Sequence, residues 1–116
     1  MKILIVDDEE DIGLMLCKIL NGLGHEVIHA SRITKARELM DDSDYELYFL
    51  DLNLPDGSGF DLIKNIKNIH PTPRIIIISA YDGAIEMNRA RRHGVYKIIH
   101  KPFSKQQILE LMQEIS

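Results

Sequence analysis

Short apolar runs alternate along the chain with segments in which apolar residues recur every three or four positions. The runs are rich in β-branched residues and nearly continuous, and they lie at residues 3–6, 27–30, 47–50, 75–78 and 95–99. Continuous runs of this length are typical of parallel strands that are covered on both faces. The pattern therefore predicts five buried strands.

The segments between the runs have the spacing of amphipathic helices. The first of them places apolar side chains at Ile12, Met15, Ile19 and Leu23, before a stop at Gly24. Ser58 and Ser104 precede the third and fifth helical segments, where we expect them to act as N-caps. The fourth segment, residues 84–92, has the narrowest apolar stripe, and its other face is basic.

Five strand–helix units in 116 residues predict one domain, residues 1–116, of the α/β class. We expect a doubly wound, five-stranded parallel sheet with helices on both faces and right-handed crossovers. The flavodoxin-like strand order 2-1-3-4-5 is the natural arrangement for five such units. In sheets of this kind, ligands bind at the carboxyl ends of the strands.

Polar residues follow four of the five apolar runs. Asp7 and Asp8 end the first run, Asp51 ends the third, Ser79 the fourth, and Lys101 follows the fifth. In the predicted strand order these four strands are neighbours, so their carboxyl ends converge on one pocket. Asp7 or Asp8 alone would most often be a helix cap or a first-turn acid, and Asp51 alone could begin a loop. Together at the ends of buried strands, where an acid is costly to desolvate, they favour a functional site.

Three carboxylates in one small volume repel one another unless a cation lies between them. A site of few oxygen ligands suits Mg²⁺ better than Ca²⁺ and leaves Asp51 free to meet a phosphoryl group. A carboxylate can act as a nucleophile and form an aspartyl phosphate. Lys101 would then neutralise charge on the phosphoryl oxygens, and the Ser79 hydroxyl would donate a hydrogen bond to one of them.

Four motifs in register carry a resemblance to a known family. The stretches VDDEE at 6–10, FLDLNLPDGSGFDL at 49–62, IIISA at 76–80 and HKPF at 100–103 together resemble the receiver domain of two-component response regulators. The resemblance covers the whole chain in the correct order. It implies a CheY-like domain that is switched by phosphorylation, which is a regulatory phosphoacceptor rather than an enzyme in the usual sense.

The resemblance also implies the metal site. Asp51 would be the phosphoacceptor, and Asp7 and Asp8 would be the acidic pair that serves Mg²⁺, with Asp8 as the more direct ligand. Asn53 matches the position whose main-chain carbonyl completes the metal shell. Asp51 would contribute a carboxylate oxygen to the same ion.

For the phosphoryl group, the resemblance makes Ser79 the switch hydroxyl and Lys101 the lysine that pairs with the phosphate. The peptide bond between Lys101 and Pro102 is expected to be cis. The family often has an aromatic residue three positions before this lysine, where this chain has Ile98. Movement of Ser79 and its loop, with a contribution from Tyr81, would then carry the switch.

The implied partners are a sensor histidine kinase or a phosphotransfer protein as donor, and an output domain or target protein downstream. The family meets its partners through the surface of the fourth helix, fifth strand and fifth helix, and the resemblance allows a phosphorylation-dependent homodimer. The basic run at 89–93 on the fourth helix is either a solvated face or part of such a surface.

The composition of the chain argues against several other classes of protein. A net charge of −4 argues against direct contact with nucleic acid. The single cysteine, Cys17, excludes a disulfide framework. The first apolar run is too short for a signal peptide or a membrane span, so we expect a cytoplasmic protein. The five histidines have no shared metal-ligand spacing, and we interpret them as surface or interface residues, with His100 the only one near the site.

Three other functions compete with this interpretation. A phosphatase with an aspartyl nucleophile, of the haloacid-dehalogenase type, would need a general acid two residues after Asp51, where the chain has Asn53. A flavin or nucleotide carrier on the same fold would be repelled by the acids after the first strand. A pseudo-receiver that only binds partners, without phosphorylation, is disfavoured by the full set of pocket residues, although Ile98 keeps it open.

Overall fold

The computed structural model describes residues 1–80 and 83–115. The helices are α1 (Glu10–Gly22), α2 (Ile33–Asp42), α3 (Gly59–Ile69), α4 (Ala84–Arg92) and α5 (Lys105–Ile115). The strands are β1 (Lys2–Val6), β2 (Glu26–Ala30), β3 (Leu47–Asp51), β4 (Asn53–Leu54), β5 (Gly57–Ser58), β6 (Arg74–Ser79) and β7 (Lys97–His100). Strands and helices alternate in chain order, apart from the two-residue strands β4 and β5.

Five of the strands form one parallel sheet in the order β2-β1-β3-β6-β7. Counted along the main sheet, this is the predicted order 2-1-3-4-5, so the doubly wound α/β fold is confirmed. The central strand β3 is buried along its whole length. The sheet order places the carboxyl ends of β1, β3, β6 and β7 side by side.

Each face of the sheet has its own hydrophobic core. Ile3 and Ile5 of β1 lie in the core beneath α1 and α5, whereas Leu4 and Val6 lie in the core beneath α2, α3 and α4. Successive side chains of a strand point to opposite faces, so a strand with two cores needs apolar residues at every position. This explains why the strands appear in the sequence as continuous apolar runs.

Two helices begin at the predicted caps. The Ser58 hydroxyl accepts a hydrogen bond from the Phe60 amide at 3.2 Å, at the start of α3. Ser104 and Gln107 cap each other before α5: the Ser104 hydroxyl accepts from the Gln107 amide, and the Gln107 side chain accepts from the Ser104 amide. This reciprocal arrangement satisfies two amides that the helix itself cannot.

The structure differs from the predicted elements at two places. The fifth strand begins at Lys97 rather than at Val95, because the Val95 amide donates back to the Ala90 carbonyl and so belongs to the turn that ends α4. The second difference is the hairpin of β4 and β5, which the apolar pattern did not predict. Gly57 allows its tight turn with a φ of 152°. Within the described residues, none of the helices combines the length and apolarity that crossing a bilayer would require.

Candidate functional site

Three acids meet at the carboxyl edge of the sheet. Asp7 directly follows β1, Asp8 is the next residue, and Asp51 ends β3. One carboxylate oxygen from each lies within 4.8 Å of the others. Asp7 and Asp51 are 0% and 5% exposed, whereas Asp8 is open to solvent. The structure therefore brings together the acids that the sequence predicted to converge.

Lys101 extends from the residue after β7 into this cluster of acids. Its ammonium nitrogen lies 3.0 Å from an Asp7 oxygen, 3.1 Å from an Asp51 oxygen and 2.8 Å from an oxygen of Glu9. The lysine side chain is only 9% exposed. A buried ammonium among three carboxylates offsets their mutual repulsion.

For both Asp7 and Lys101, burial shifts the pKa in one direction and the ion pair between them shifts it in the other. Burial raises the pKa of Asp7, even though the Glu9 amide and Lys101 favour the ionised form. For Lys101, burial alone would lower the pKa, but the carboxylates of Glu9, Asp7 and Asp51 raise it above its ordinary value. The lysine is therefore held as a cation, while Asp7 is an anion that the fold accommodates at a cost.

Main-chain groups fix the two buried carboxylates. The second oxygen of Asp7 accepts a hydrogen bond from the Glu9 amide at 2.9 Å, and an Asp51 oxygen accepts one from the Asn53 amide at 3.2 Å. Gly59 lies so close to the Asp51 carbonyl that a Cβ atom there would collide with it. A glycine is therefore required where α3 begins against the end of β3.

Ser79 and Lys101 are joined through the main chain. Ser79 ends β6 and is fully buried, and the Lys101 amide donates to its carbonyl at 2.8 Å. The Lys101–Pro102 peptide bond is cis, as predicted. Asn53 is exposed in β4, two residues after Asp51. All the residues predicted for the site thus lie at this edge of the sheet.

The donor set fits a hard divalent cation. All three acids offer carboxylate oxygens, which are ligands that Mg²⁺ prefers. The Asp7 oxygen that faces Lys101 is buried and lacks a well-oriented hydrogen-bond donor among the residues described, so the lysine contact at 3.0 Å is an ion pair only. Such an oxygen has a lone pair available for a metal.

His29 corrects the interpretation of the histidines. Its ring nitrogen Nε2 lies 2.7 Å from the main-chain oxygen of Asp7, so His100 is not the only histidine near the site. The contact arises because β2 pairs with β1, which places His29 opposite Ile5 and brings its ring towards the end of β1. Strand pairing of this kind has no local signal in the sequence.

Two acidic residues have roles that the sequence analysis missed. Glu9, in the quoted motif VDDEE, makes the shortest contact to Lys101. Asp56 lies in the turn between β4 and β5, and its carboxylate accepts hydrogen bonds from the amides of Ile33 and Thr34 and from the Thr34 hydroxyl. These bonds lower the pKa of Asp56 to about 2, the Thr34 amide contributing most. Asp56 therefore caps α2 from a distant loop.

Ile98 occupies the position, three residues before Lys101, where the family often has an aromatic residue. Ile98 is half-buried in β7 and packs against the core on the α2–α4 side, while Tyr96 precedes the strand and is exposed. Tyr81 lies outside the described residues. The aromatic position of the family is thus taken by an aliphatic side chain that forms part of the core.

Comparison with known proteins gives consistent matches over the whole chain. PilR of Pseudomonas aeruginosa, a response regulator protein, is 34% identical over 111 residues, which are 96% of this chain and 25% of PilR. The chemotaxis protein CheY of Thermotoga maritima is 30% identical and is matched over 97% of its length, with 99% of this chain covered. A response regulator structure from Burkholderia pseudomallei has a TM-score of 0.84 at 25% identity, covering 99% of this chain and 72% of that one.

The extent of these matches differs between relatives. This chain spans about a quarter of PilR but nearly all of the Thermotoga CheY. The family model of the response regulator receiver domain matches residues 3–113. That range contains the five strands of the main sheet, apart from Lys2 at the start of β1, and every residue of the acidic edge described above. The chain therefore belongs to the response regulator receiver domain family, a regulatory family.

Proposed function

We propose that this domain accepts a phosphoryl group on Asp51 from a phosphohistidine of a sensor histidine kinase or a phosphotransfer protein. The observation that carries the proposal is the setting of Asp51, a buried carboxylate at a strand end with the Lys101 ammonium 3.1 Å away. A carboxylate held beside a fixed cation is poised to bond a group whose oxygens carry negative charge. In support, the Burkholderia relative was determined with a phosphorylated aspartic acid and a calcium ion.

The proposed cofactor is Mg²⁺, held by carboxylate oxygens of Asp7, Asp8 and Asp51 and by the main-chain carbonyl of Asn53. Bound there, Mg²⁺ supplies positive charge that the phosphoryl oxygens need during transfer. Asp8 is the exposed carboxylate of the set, so it offers the side-chain ligand that solvent and ion reach first. The Glu9 amide orients the carboxylate of Asp7 for the same purpose.

In the proposed reaction, a carboxylate oxygen of Asp51 attacks the phosphorus of the phosphohistidine. A phosphorus–oxygen bond forms as the phosphorus–nitrogen bond breaks, and the imidazole nitrogen of the donor keeps the electron pair. Lys101 has to exchange its contacts with Asp7 and Glu9 for a phosphoryl oxygen, and the Ser79 hydroxyl donates to another. Hydrolysis of the aspartyl phosphate would use the same geometry: water would attack the phosphorus from the side that the imidazole left, and the phosphorus–oxygen bond to Asp51 would break.

The proposed output is a change at the surface formed by α4, β7 and α5. Ser79 ends β6, and α4 follows a few residues later in the chain. The Lys101 amide bonds the Ser79 carbonyl, so a movement of Ser79 reaches both α4 and the end of β7. In this proposal the surface binds an output domain or target protein, or a second phosphorylated copy, and the domain works in the cytoplasm.

The test is the intact mass of the protein after incubation with a small phosphodonor, with Mg²⁺ or with chelator. We expect a phosphoryl adduct that requires Mg²⁺ and is absent from Asp51→Asn. The matched control is Asp41→Asn, at an exposed aspartate of α2, which should form the adduct like the wild type.

Three other results would change the conclusion. An adduct that persists in Asp51→Asn would move the phosphoacceptor to another residue. A protein that forms no adduct and also fails to bind a beryllofluoride mimic would be a pseudo-receiver that acts as an adaptor without phosphorylation. Rapid Mg²⁺-dependent turnover of an unrelated phosphate ester would favour the phosphatase instead.

A further inference from the structure

Four cations from two helices converge on one surface, away from the acidic edge. They are Lys64 and Lys67 of α3 and Arg89 and Arg92 of α4, each pair three residues apart. Residues three apart on a helix share a face. Lys64, Arg89 and Arg92 are exposed and Lys67 is half-buried. We refer to these four residues as the α3–α4 basic surface.

Contacts between the helices hold this surface together. The Phe60 ring of α3 stacks on the His93 ring at the end of α4, with centroids 5.4 Å apart. The Arg89 guanidinium lies over the same Phe60 ring, 4.2 Å from its centroid. Lys67 reaches across towards Gly94, where a Cβ atom would lie 3.7 Å from its ammonium nitrogen. The side chains of α3 and α4 therefore form one continuous surface.

The four cations carry like charges, which repel one another. Across residues 1–80 and 83–115, none of them forms an ion pair with a carboxylate, in contrast to Lys2, Lys35, Lys97 and Lys101. Burial lowers the pKa of His93, and the charges of Lys67, Arg89, Lys64 and Arg92 lower it further. All four cations therefore lie near the His93 ring.

Helix dipoles explain only part of this arrangement. A cation in the last turn of a helix is favoured by the partial negative charge there, which accounts for Lys67 in α3 and for Arg89 and Arg92 in α4. Lys64 precedes the last turn, and the dipole does not require two helices to direct their cations to a common surface. Helix dipoles therefore do not account for four cations on one surface, whereas binding of a ligand there would.

We propose that the α3–α4 basic surface binds an acidic segment of a partner protein, rich in aspartate and glutamate. Unpaired cations on adjacent helices complement a short run of carboxylates, and the guanidinium of Arg89 is already oriented by Phe60. The domain as a whole is acidic, with a net charge of −4, which repels a long polyanion such as nucleic acid more than it repels a short peptide. This binding does not depend on phosphorylation of Asp51.

The test is a titration of isotopically labelled protein with a short polyglutamate peptide at low ionic strength, without Mg²⁺ or phosphodonor, followed by amide chemical shifts. We expect shifts in α3 and α4 that disappear as salt is added. The triple variant Lys64→Gln, Lys67→Gln, Arg92→Gln should raise the Kd about tenfold. Arg89 is retained in this variant so that its contact with Phe60 is undisturbed.

A matched triple variant controls for overall charge. Lys18→Gln, Arg32→Gln and Lys105→Gln remove the same charge from exposed positions on other elements and should change the Kd less than about twofold. Equal weakening by both triple variants, or an absence of shifts in α3 and α4, would overturn the proposal. Tighter binding of a polythymidine oligonucleotide to the same residues would overturn it in favour of nucleic acid.

Discussion

The Nε2 atom of His29 lies 2.7 Å from the main-chain oxygen of Asp7, which ties β2 to the loop that carries the acidic pair. A carbonyl only accepts hydrogen bonds, so Nε2 carries the hydrogen. The space for the imidazole is provided by Gly13 of α1, where a Cβ atom would collide with the ring. His29 is thus held between α1 and the end of β1, and it positions the Asp7 main chain.

This contact predicts that His29→Ala weakens Mg²⁺ binding about fivefold, the equivalent of one ordinary hydrogen bond. His29→Gln retains a donor and should recover part of the loss. Isothermal titration with Mg²⁺ gives the affinity, and the thermal midpoint shows whether the variants are folded. A purely structural role would lower the midpoint and leave the affinity of the folded fraction at the wild-type value.

A double-mutant cycle with Gly13 tests the same geometry independently. Gly13→Ala should displace the His29 ring and reduce Mg²⁺ affinity to nearly the level of His29→Ala. Because both changes break one contact, the double variant should be no worse than His29→Ala. Additive losses would mean that Gly13 acts on the site by another route, such as a shift of α1.

Lys101 competes with a metal for the same oxygens, which predicts opposite effects on binding and on transfer. Lys101→Met removes a positive charge from beside Asp7 and Asp51, so Mg²⁺ should bind about tenfold more tightly. The same variant lacks the cation that meets the phosphoryl group, so the rate of adduct formation should fall at least about tenfold. Calorimetry and the time course of intact mass measure the two effects.

The control for Lys101 is Lys105→Met, at an exposed lysine at the start of α5. It removes the same charge a few residues away and should change neither quantity. If Lys101→Met weakens Mg²⁺ binding, the lysine supports the metal site rather than competing with it, and the charge argument fails.

Burial of the Asp7 carboxylate predicts that this residue lowers the stability of the metal-free protein. Because burial raises its pKa, its contribution to stability is full below the ordinary value of 3.8 and is lost as the pH rises through the higher folded value. At neutral pH the ionised carboxylate therefore costs stability. Asp7→Asn removes the charge, keeps an acceptor for the Glu9 amide, and should raise the thermal midpoint by about 4 °C in chelator.

With Mg²⁺ bound, the wild type should have the higher thermal midpoint, because its Asp7 carboxylate contributes to Mg²⁺ binding and Asp7→Asn lacks that carboxylate. Thermal unfolding with chelator and with saturating Mg²⁺ measures both effects, and Asp41→Asn serves as a control for a charge change at an exposed position. A lower midpoint for Asp7→Asn in chelator would show that the pair with Lys101 outweighs the cost of burial.

Sequence reasoning succeeded where the physical cause is local or repeated along the chain. Ile3 to Val6 were predicted as a strand because alternate side chains fill two cores, and that requirement is visible in the composition of the run. The acids at the ends of β1 and β3 were predicted to meet because parallel strands share an edge. Both the strands and the site were therefore predicted from the same apolar runs and the polar residues that end them.

It failed where the cause is a contact between distant positions. His29 and Asp7 are 22 residues apart, and Asp56 and Ile33 are 23 apart, and neither contact has a characteristic local pattern. The structure gives the reason for the second contact: α2 begins after Arg32, whose side chain makes no capping hydrogen bond. A helix start without a local cap indicates that its first amides have a partner elsewhere.

That distant cap predicts a pH-dependent stability. Hydrogen bonds from Thr34 and Ile33 lower the pKa of Asp56 from 3.8 to about 2, so its contribution is present above pH 3.8 and is lost as the pH falls towards 2. Asp56→Asn lacks the charge at every pH. The urea midpoint of the wild type should exceed that of the variant near neutral pH, and the difference should narrow below pH 3.8.

Urea unfolding followed by circular dichroism over this range measures the difference, and Asp41→Asn corrects for the loss of one acid from α2 itself. Thr34→Val, which removes one of the three donors, should give a smaller deficit with the same pH dependence. A wild-type advantage that stays constant down to the lowest pH at which both proteins fold would mean that Asp56 stabilises the loop through its conformation. In that case the charge of Asp56 at the first turn of α2 would contribute nothing measurable.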